Sequence, residues 1–188
     1  MSRWQPDAHG RLAQSAMELF AERGFDQVTA AEIAKRAGVT ERTFFRYFTD
    51  KREVLFDRTN ALEQLVVVSI DSADAAAGAL DAVGSAWIAA ASVLEGNRDY
   101  SRARARIIDS NPGLRERELL KMAALAAASA SALRRRNVPE GAARLAGDAG
   151  VAVFRAGFEA WIGDRASGDL AACIGEALAQ LRGLAANA

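Results

Sequence analysis

The chain is poor in the residues that chemistry usually needs: one cysteine, one histidine and three prolines among 188 residues. Cys173 has no second thiol, so no intramolecular disulfide can form, and no Cys/His cluster has metal-ligand spacing. This fits a reducing, cytoplasmic compartment. His9, the one histidine, has no Ser or Cys nucleophile beside it, and no glycine-rich phosphate loop is present. Nothing here assembles a catalytic constellation, so the chain reads as no enzyme, with no cofactor and no metal implied. Charge of one sign is also lacking, since Lys+Arg and Asp+Glu number 24 each. A nucleic-acid partner therefore has to be argued from a local patch. Long hydrophobic runs are missing: the uncharged stretch from Ala82 to Leu94 is too short and too weakly apolar to span a bilayer. Asp7, His9 and Arg11 interrupt any apolar leader, so no signal peptide or membrane association is expected.

What is present is alanine, in a chain that is 51% hydrophobic and has few β-branched runs. That composition favours helix. No stretch alternates with the period of a strand, and the predicted fold is all-α. Residues 1 to 5, with Arg3 and Trp4, read as a loose arm, and Pro6 with Asp7 opens the first helix. Leu12, Ala13, Ala16, Met17 and Phe20 form a stripe that Gly24 ends, with Phe25 folding back. Asp50 caps a helix expected to run from Lys51 through Val54, Leu55 and Leu62 to about Ala73. Further helices are expected at about 78–94, 98–109, 113–136, 140–163 and 168–184. Asn111-Pro112 and Val138-Pro139 mark starts, while Gly96, Asn137 and Gly168 fall in breaks. Composition changes near Arg58, and the domains are expected at 1–52 and 53–188.

The most informative stretch is Thr29 to Lys51, TAAEIAKRAGVTERTFFRYFTDK. Ile33 and Ala34 share one helical face, and Phe44 and Phe48 share another, so two short helices each have a side to bury. Gly38 lies where the chain must turn left-handed between them, and Thr40 offers an N-cap hydroxyl. With Phe44 and Phe48 committed to the core, part of Phe45, Arg46 and Tyr47 must face outward. A helix, a tight turn and a second helix with an aromatic, Arg-bearing outer face form the arrangement that lays a helix in the major groove. Between residues 29 and 52 the cations Lys35, Arg36, Arg42, Arg46, Lys51 and Arg52 face only Glu32, Glu41 and Asp50. That excess suits a phosphate surface. The competing reading is a purely structural helix pair on a helical protein-interaction or small-molecule-binding module without DNA binding.

The run GVTERTFFRYFTDKREVLF, preceded by TAAEIAKRA and ELFAERGFDQVT, resembles the N-terminal domain of the TetR family of transcriptional regulators over roughly residues 10 to 56. The resemblance implies a homodimeric, ligand-responsive DNA-binding protein, a repressor of a pseudo-palindromic operator, with an N-terminal three-helix reading domain and a larger helical domain. It implies that Thr29 and Thr40 cap helices at the phosphate backbone. Arg42, Thr43 and Arg46 become candidates for the groove, and Phe45, Tyr47 and Lys51 for the flank. Phe45 stands where many relatives have Tyr, which removes a hydroxyl. Tyr47 stands where many have His, and Ala31 where some place a long polar base reader, so the first of the two helices is expected to read little.

In the larger domain, Val151, Phe154, Phe158, Trp161 and Ile162 make a broad apolar stripe, with Gly147, Gly150 and Gly157 leaving room for a neighbouring helix. Leu170, Ile174, Leu178 and Leu181 make a second stripe. Such stripes either complete a core or pair across a two-fold as a four-helix bundle. The resemblance implies the latter, with Phe154, Phe158, Trp161, Ile174, Leu178 and Leu181 at a dimer interface. Cys173, on the same helix, reads as a small buried hydrophobe. Leu65, Val66, Trp87, Ile88, Met122 and Leu125 are candidates to line an apolar effector pocket, or else ordinary core. The Arg-rich segment Arg102 to Arg117 resembles a subgroup of actinobacterial-type regulators with an acyl-CoA-like ligand domain, which implies an apolar or acyl-type effector with an anionic part.

Overall fold

A computed structural model of the chain describes residues 7–163 and 168–186. The expected arm at Arg3 and Trp4, and Pro6, lie outside the described residues. The helices are α1 (Ala8–Arg23), α2 (Ala30–Arg36), α3 (Glu41–Tyr47), α4 (Glu53–Phe56), α5 (Thr59–Asp71), α6 (Ala79–Ala90), α7 (Arg98–Asp109), α8 (Pro112–Arg135), α9 (Glu140–Ile162) and α10 (Leu170–Ala186). A single 3-10 turn, Ala91–Val93, follows α6, and the described residues contain no strand. The fold is all-α, as the composition and periodicity predict.

The long helix expected from Lys51 to about Ala73 is instead two helices, α4 and α5. Asp57 and Arg58 keep right-handed helical dihedrals, at φ −54°, ψ −41° and φ −75°, ψ −9°. The residues are therefore compatible with helix, and what fails is the regular hydrogen-bond ladder. Their side chains are engaged elsewhere: Asp57 accepts at 3.0 Å from His9 Nε2, and Arg58 donates to the Val93 carbonyl at 3.2 Å.

The chain divides into two compact units. The first holds Met1–Asp57 together with Arg102–Glu118, and the second holds Arg58–Ser101 and Leu119–Ala188. A cut at 52/53 omits the 102–118 segment, which packs with the N-terminal helices.

In the first unit α1 lies against α2 and α4, and α2 against α3. Leu12, Ala16, Leu19 and Phe20 of α1 are buried with Ile33, Phe44, Val54 and Phe56, and from the returning segment Ile107, Ile108 and Leu114 are buried as well. A fully enclosed Phe44 contributes about 2–3 kcal/mol by removal from water. The Arg-rich segment supplies clamps here. Arg104 donates to the Leu55 carbonyl and to Glu118, with its guanidinium 5.2 Å from the Phe56 ring. Arg117 pairs with Glu53, its Nε 2.7 Å from Oε1, and also faces Phe56. Both arginines are thereby occupied in holding α4.

The second unit has one continuous core containing Leu62, Val66, Ile70, Val83, Trp87, Leu125, Leu133, Phe154, Trp161, Ile174 and Leu178. The glycines of α9 do admit neighbouring helices, and those helices belong to the same chain. A Cβ on Gly147 would sit 2.5 Å from the Ala126 carbonyl of α8, one on Gly150 2.2 Å from a Val83 methyl of α6, and one on Gly157 2.7 Å from the Ile174 Cα of α10. An aromatic ladder runs from Trp87 of α6 through Phe154, Phe158 and Trp161 of α9, with successive centroids 4.6, 5.7 and 6.0 Å apart.

Candidate nucleic-acid interface

The α1–α2 turn ends on Thr29, the N-cap of α2. Its hydroxyl accepts from the Glu32 N–H at 3.3 Å, and Glu32 Oε2 accepts from the Thr29 N–H at 2.9 Å, which completes a capping box. The Thr29 N–H is the main cause holding the Glu32 carboxyl below the usual carboxylate range. The Thr29 hydroxyl adds to it, burial opposes it, and Arg23 contributes a smaller part. At the other end of α2, Gly38 takes φ +69°. Val39 N donates to Ala34 O at 3.0 Å and Gly38 N to Lys35 O at 3.2 Å, the Schellman closure that a left-handed residue permits. Arg11 of α1 adds a bond from Nε to the Ala37 carbonyl at 3.2 Å.

Thr40 then caps α3, its hydroxyl accepting from the Thr43 N–H at 3.2 Å and lying 2.9 Å from the Thr43 hydroxyl. The seven residues of α3 separate as the sequence predicts. Phe44 and, just beyond the helix, Phe48 are buried, whereas Phe45 is 52% exposed and Tyr47 41% exposed. Arg42 and Arg46 are exposed beside them. The Arg46 guanidinium lies over the Tyr47 ring, 5.0 Å from its centroid, and donates to its hydroxyl at 3.3 Å, so these two side chains are linked. Behind them the His9 imidazole stacks on Phe48 at 5.0 Å and meets Tyr47 edge-on at 5.7 Å. The sequence carries no signal for that role of His9, because only the fold brings residue 9 to residue 47.

The local positive excess is smaller than the sequence count. Arg36 is held by both Glu22 oxygens, at 2.6 and 2.8 Å, and Arg52 by Asp50 at 2.8 Å. Burial raises the Asp50 pKa, but the Arg52 side chain and the N–H groups of Arg52 and Glu53 outweigh it and leave the carboxyl below its ordinary range. Lys51 is turned into the protein: Nζ donates to the carbonyls of Phe25 and Val28, each at 2.8 Å, and lies over the Phe25 ring. Among the described residues Lys35, Arg42 and Arg46 have no carboxylate partner. These three, on the outer sides of α2 and α3, are the cations available to phosphate or base edges.

In the second unit Leu65, Val66, Trp87, Ile88, Met122 and Leu125 all belong to, or pack against, its one core. The Trp87 ring is fully buried, and its Nε1, like Arg98 Nε, has no hydrogen-bond partner among the described residues. Phe154, Trp161, Ile174 and Leu178 are also enclosed in that core, while Phe158 and Leu181 are half-buried. Phe154, Trp161, Ile174 and Leu178 are thus covered within the chain, and Phe158 and Leu181 are covered in part. The exposed positions of the last two helices include Leu145, Ala152 and Ala156 on α9 and Ala172 and Ala179 on α10, interspersed with Arg144, Asp148, Arg155, Glu159 and Glu176. Among the described residues no helix is long and apolar enough to cross a membrane, and no group of His, Cys, Asp and Glu is arranged to hold a metal ion.

Comparison with known proteins agrees with this geometry. Residues 12–57 match the family model of bacterial regulatory proteins, tetR family, and residues 77–185 match that of the MftR C-terminal domain. Over 104 residues the chain is 34% identical to a mycofactocin biosynthesis transcriptional regulator, MftR, of Mycobacterium tuberculosis, covering 55% of this chain and 52% of that protein. The chain spans about half the length of the curated relatives it matches. A TetR-family regulator structure from Syntrophomonas wolfei shares the fold at TM-score 0.67 and 17% identity, covering 96% of this chain and 95% of that one. FadR of Bacillus subtilis, solved with stearoyl-CoA, shares it at TM-score 0.58 and 22% identity, covering 92% and 96%. This chain belongs to the tetR family of bacterial regulatory proteins and carries a C-terminal domain of the MftR type.

Proposed function

We propose that this protein is a homodimeric, effector-responsive repressor, cytoplasmic and without enzymatic activity, that reads a pseudo-palindromic DNA operator. The observation that carries this reading is the outer face of α3, where Arg42, Phe45, Arg46 and Tyr47 stand exposed on a helix anchored by Phe44 and Phe48. Arg42, Thr43 and Arg46 face the groove, and the guanidinium groups suit bidentate contact with guanine. Phe45 and Tyr47 lie against the flank. Thr29 and Thr40 present the N-termini of α2 and α3 to phosphates, where partial positive charge and free N–H groups favour an anion. Lys51 acts by holding the turn that carries Thr29.

Two copies related by a two-fold place their reading helices about 34–36 Å apart, one turn of B-DNA. The second unit supplies both pairing and effector binding. Leu145, Ala152 and Ala156 of α9, with Ala172 and Ala179 of α10, are the outward residues suited to close helix packing against a second copy. The effector is apolar or acyl-type, in keeping with the apolar side chains Leu65, Val66, Ile88 and Met122 around Trp87 and with the acyl-CoA complex of the FadR neighbour. Effector and operator antagonise one another reciprocally, because each favours its own head separation.

Selection of bound duplexes from a random pool tests this, with Arg46→Ala alongside. A two-fold-symmetric site recovered by the wild type and lost by the variant supports it. A folded dimer that enriches nothing at low salt removes DNA reading and leaves a helical binding module.

A further inference from the structure

Asn111, between α7 and α8, makes two different contacts with one carboxamide. Its Oδ1 accepts from the Leu114 N–H at 3.1 Å, which makes it the N-cap of α8. Its Nδ2 donates to both carboxylate oxygens of Asp26, at 3.1 and 3.2 Å. For the cap alone Asp or Ser would serve as well as Asn. Asp would supply no donor and Ser one short hydroxyl for both roles, whereas the amide carries donor and acceptor on separate atoms, and both are used here.

Asp26 lies in the α1–α2 turn, the same turn whose Phe25, Asp26 and Val28 carbonyls converge on Lys51 Nζ. One residue past Val28 stands Thr29, the cap of α2. The turn is thus gripped at its carbonyls by Lys51 and at its carboxylate by Asn111. The grip comes from the 102–118 segment, which is separated from the turn by some of the longest sequence intervals in the first unit.

We propose that Asn111 is a positioning residue for operator binding, setting the α1–α2 turn so that the capped N-terminus of α2 meets the DNA backbone in register with α3. This rests on the reading of α2 and α3 as the DNA interface. Asn111→Asp separates its two roles: aspartate keeps the α8 cap, loses the donor and sets a second carboxylate against Asp26. Asp26→Asn in the same chain restores the pair with donor and acceptor exchanged.

The experiment measures anisotropy titrations of the wild type, Asn111→Asp, Asp26→Asn and the double variant on the selected operator, with a thermal melt of each. The expected result is a loss of about tenfold in operator affinity for Asn111→Asp, the size of one charge-assisted hydrogen bond, with an almost unchanged melt. The double variant is expected to return to within about twofold of the wild type. An Asn111→Asp variant that binds as the wild type does overturns the inference, as does a double variant no better than Asn111→Asp. A wild type that binds no duplex overturns the DNA reading itself, and this role with it.

Discussion

Lys51 Nζ lies 2.8 Å from the Val28 carbonyl, one residue before the cap of α2, and 2.8 Å from the Phe25 carbonyl. A cation expected at the phosphate backbone is thereby the internal strut of the α1–α2 turn. Replacing it with Met removes charged hydrogen bonds to carbonyls that are then left without this donor. Lys51→Met is expected to cost about 1–3 kcal/mol of stability and to weaken operator and random DNA alike, as urea denaturation and duplex titrations would measure. Unchanged stability with lost DNA affinity would return the residue to the phosphates.

Salt dependence counts the available cations. With Lys35, Arg42 and Arg46 lacking a carboxylate partner in each head, a dimer should show a slope of log K against log salt of roughly −5. Arg42→Ala should reduce that slope by about 2, one phosphate-equivalent per head, if the side chain meets the backbone. If it is bidentate to guanine the signature is instead about 1–3 kcal/mol of lost discrimination. The two outcomes are separated by titrating operator and random duplex at several salt concentrations.

The capping box carries a pH signature. Because Glu32 titrates below its ordinary range in the folded chain, its contribution is complete above the unfolded value and is lost as pH falls through the folded one. Stability should therefore decline on acidification through the carboxylate range. Glu32→Gln, which cannot ionise, should flatten that part of the curve, as denaturant midpoints at pH 7 and at acid pH would reveal.

Gly157→Ala tests the crossing of α9 and α10. Its Cβ would stand 2.7 Å from the Ile174 Cα, backbone that cannot rotate away. The expected cost is about 1–3 kcal/mol by overpacking, with a change in tryptophan fluorescence from the neighbouring ladder. Gly183→Ala, where a Cβ meets nothing within 4 Å, should be tolerated.

Burial raises the Cys173 thiol above its usual range, with Glu176 and Asp169 adding to the shift and Arg98 opposing it. The free thiolate is the reacting species, so labelling by a thiol reagent at neutral pH should be slow in the folded protein and fast in denaturant. Fast labelling of the native chain would place Cys173 at the surface.

The helix pair at residues 29–51 was legible because it is local. Thr29, Gly38 and Thr40 act on backbone within a few residues of themselves, and Phe44 and Phe48 differ from Phe45 and Arg46 by helical phase alone. Most helix limits followed for the same reason, from caps, prolines and apolar period. What residues 29–51 could not reveal is which cations are spent. Arg36 is neutralised by Glu22 of α1, and Lys51 is captured by carbonyls more than twenty residues away. Likewise the stripes on α9 and α10 read as a subunit interface, with completion of the core as the alternative. An amphipathic pattern says that a face is covered, and only the tertiary packing of α6 against both helices decided that the chain covers Phe154, Trp161, Ile174 and Leu178 itself. The return of residues 102–118 to the first unit is of the same kind. Sequence by itself determined the helices, their caps and the outward face of α3; the fold alone decided how distant charges and apolar faces pair, because those pairings depend on separations that no local period encodes.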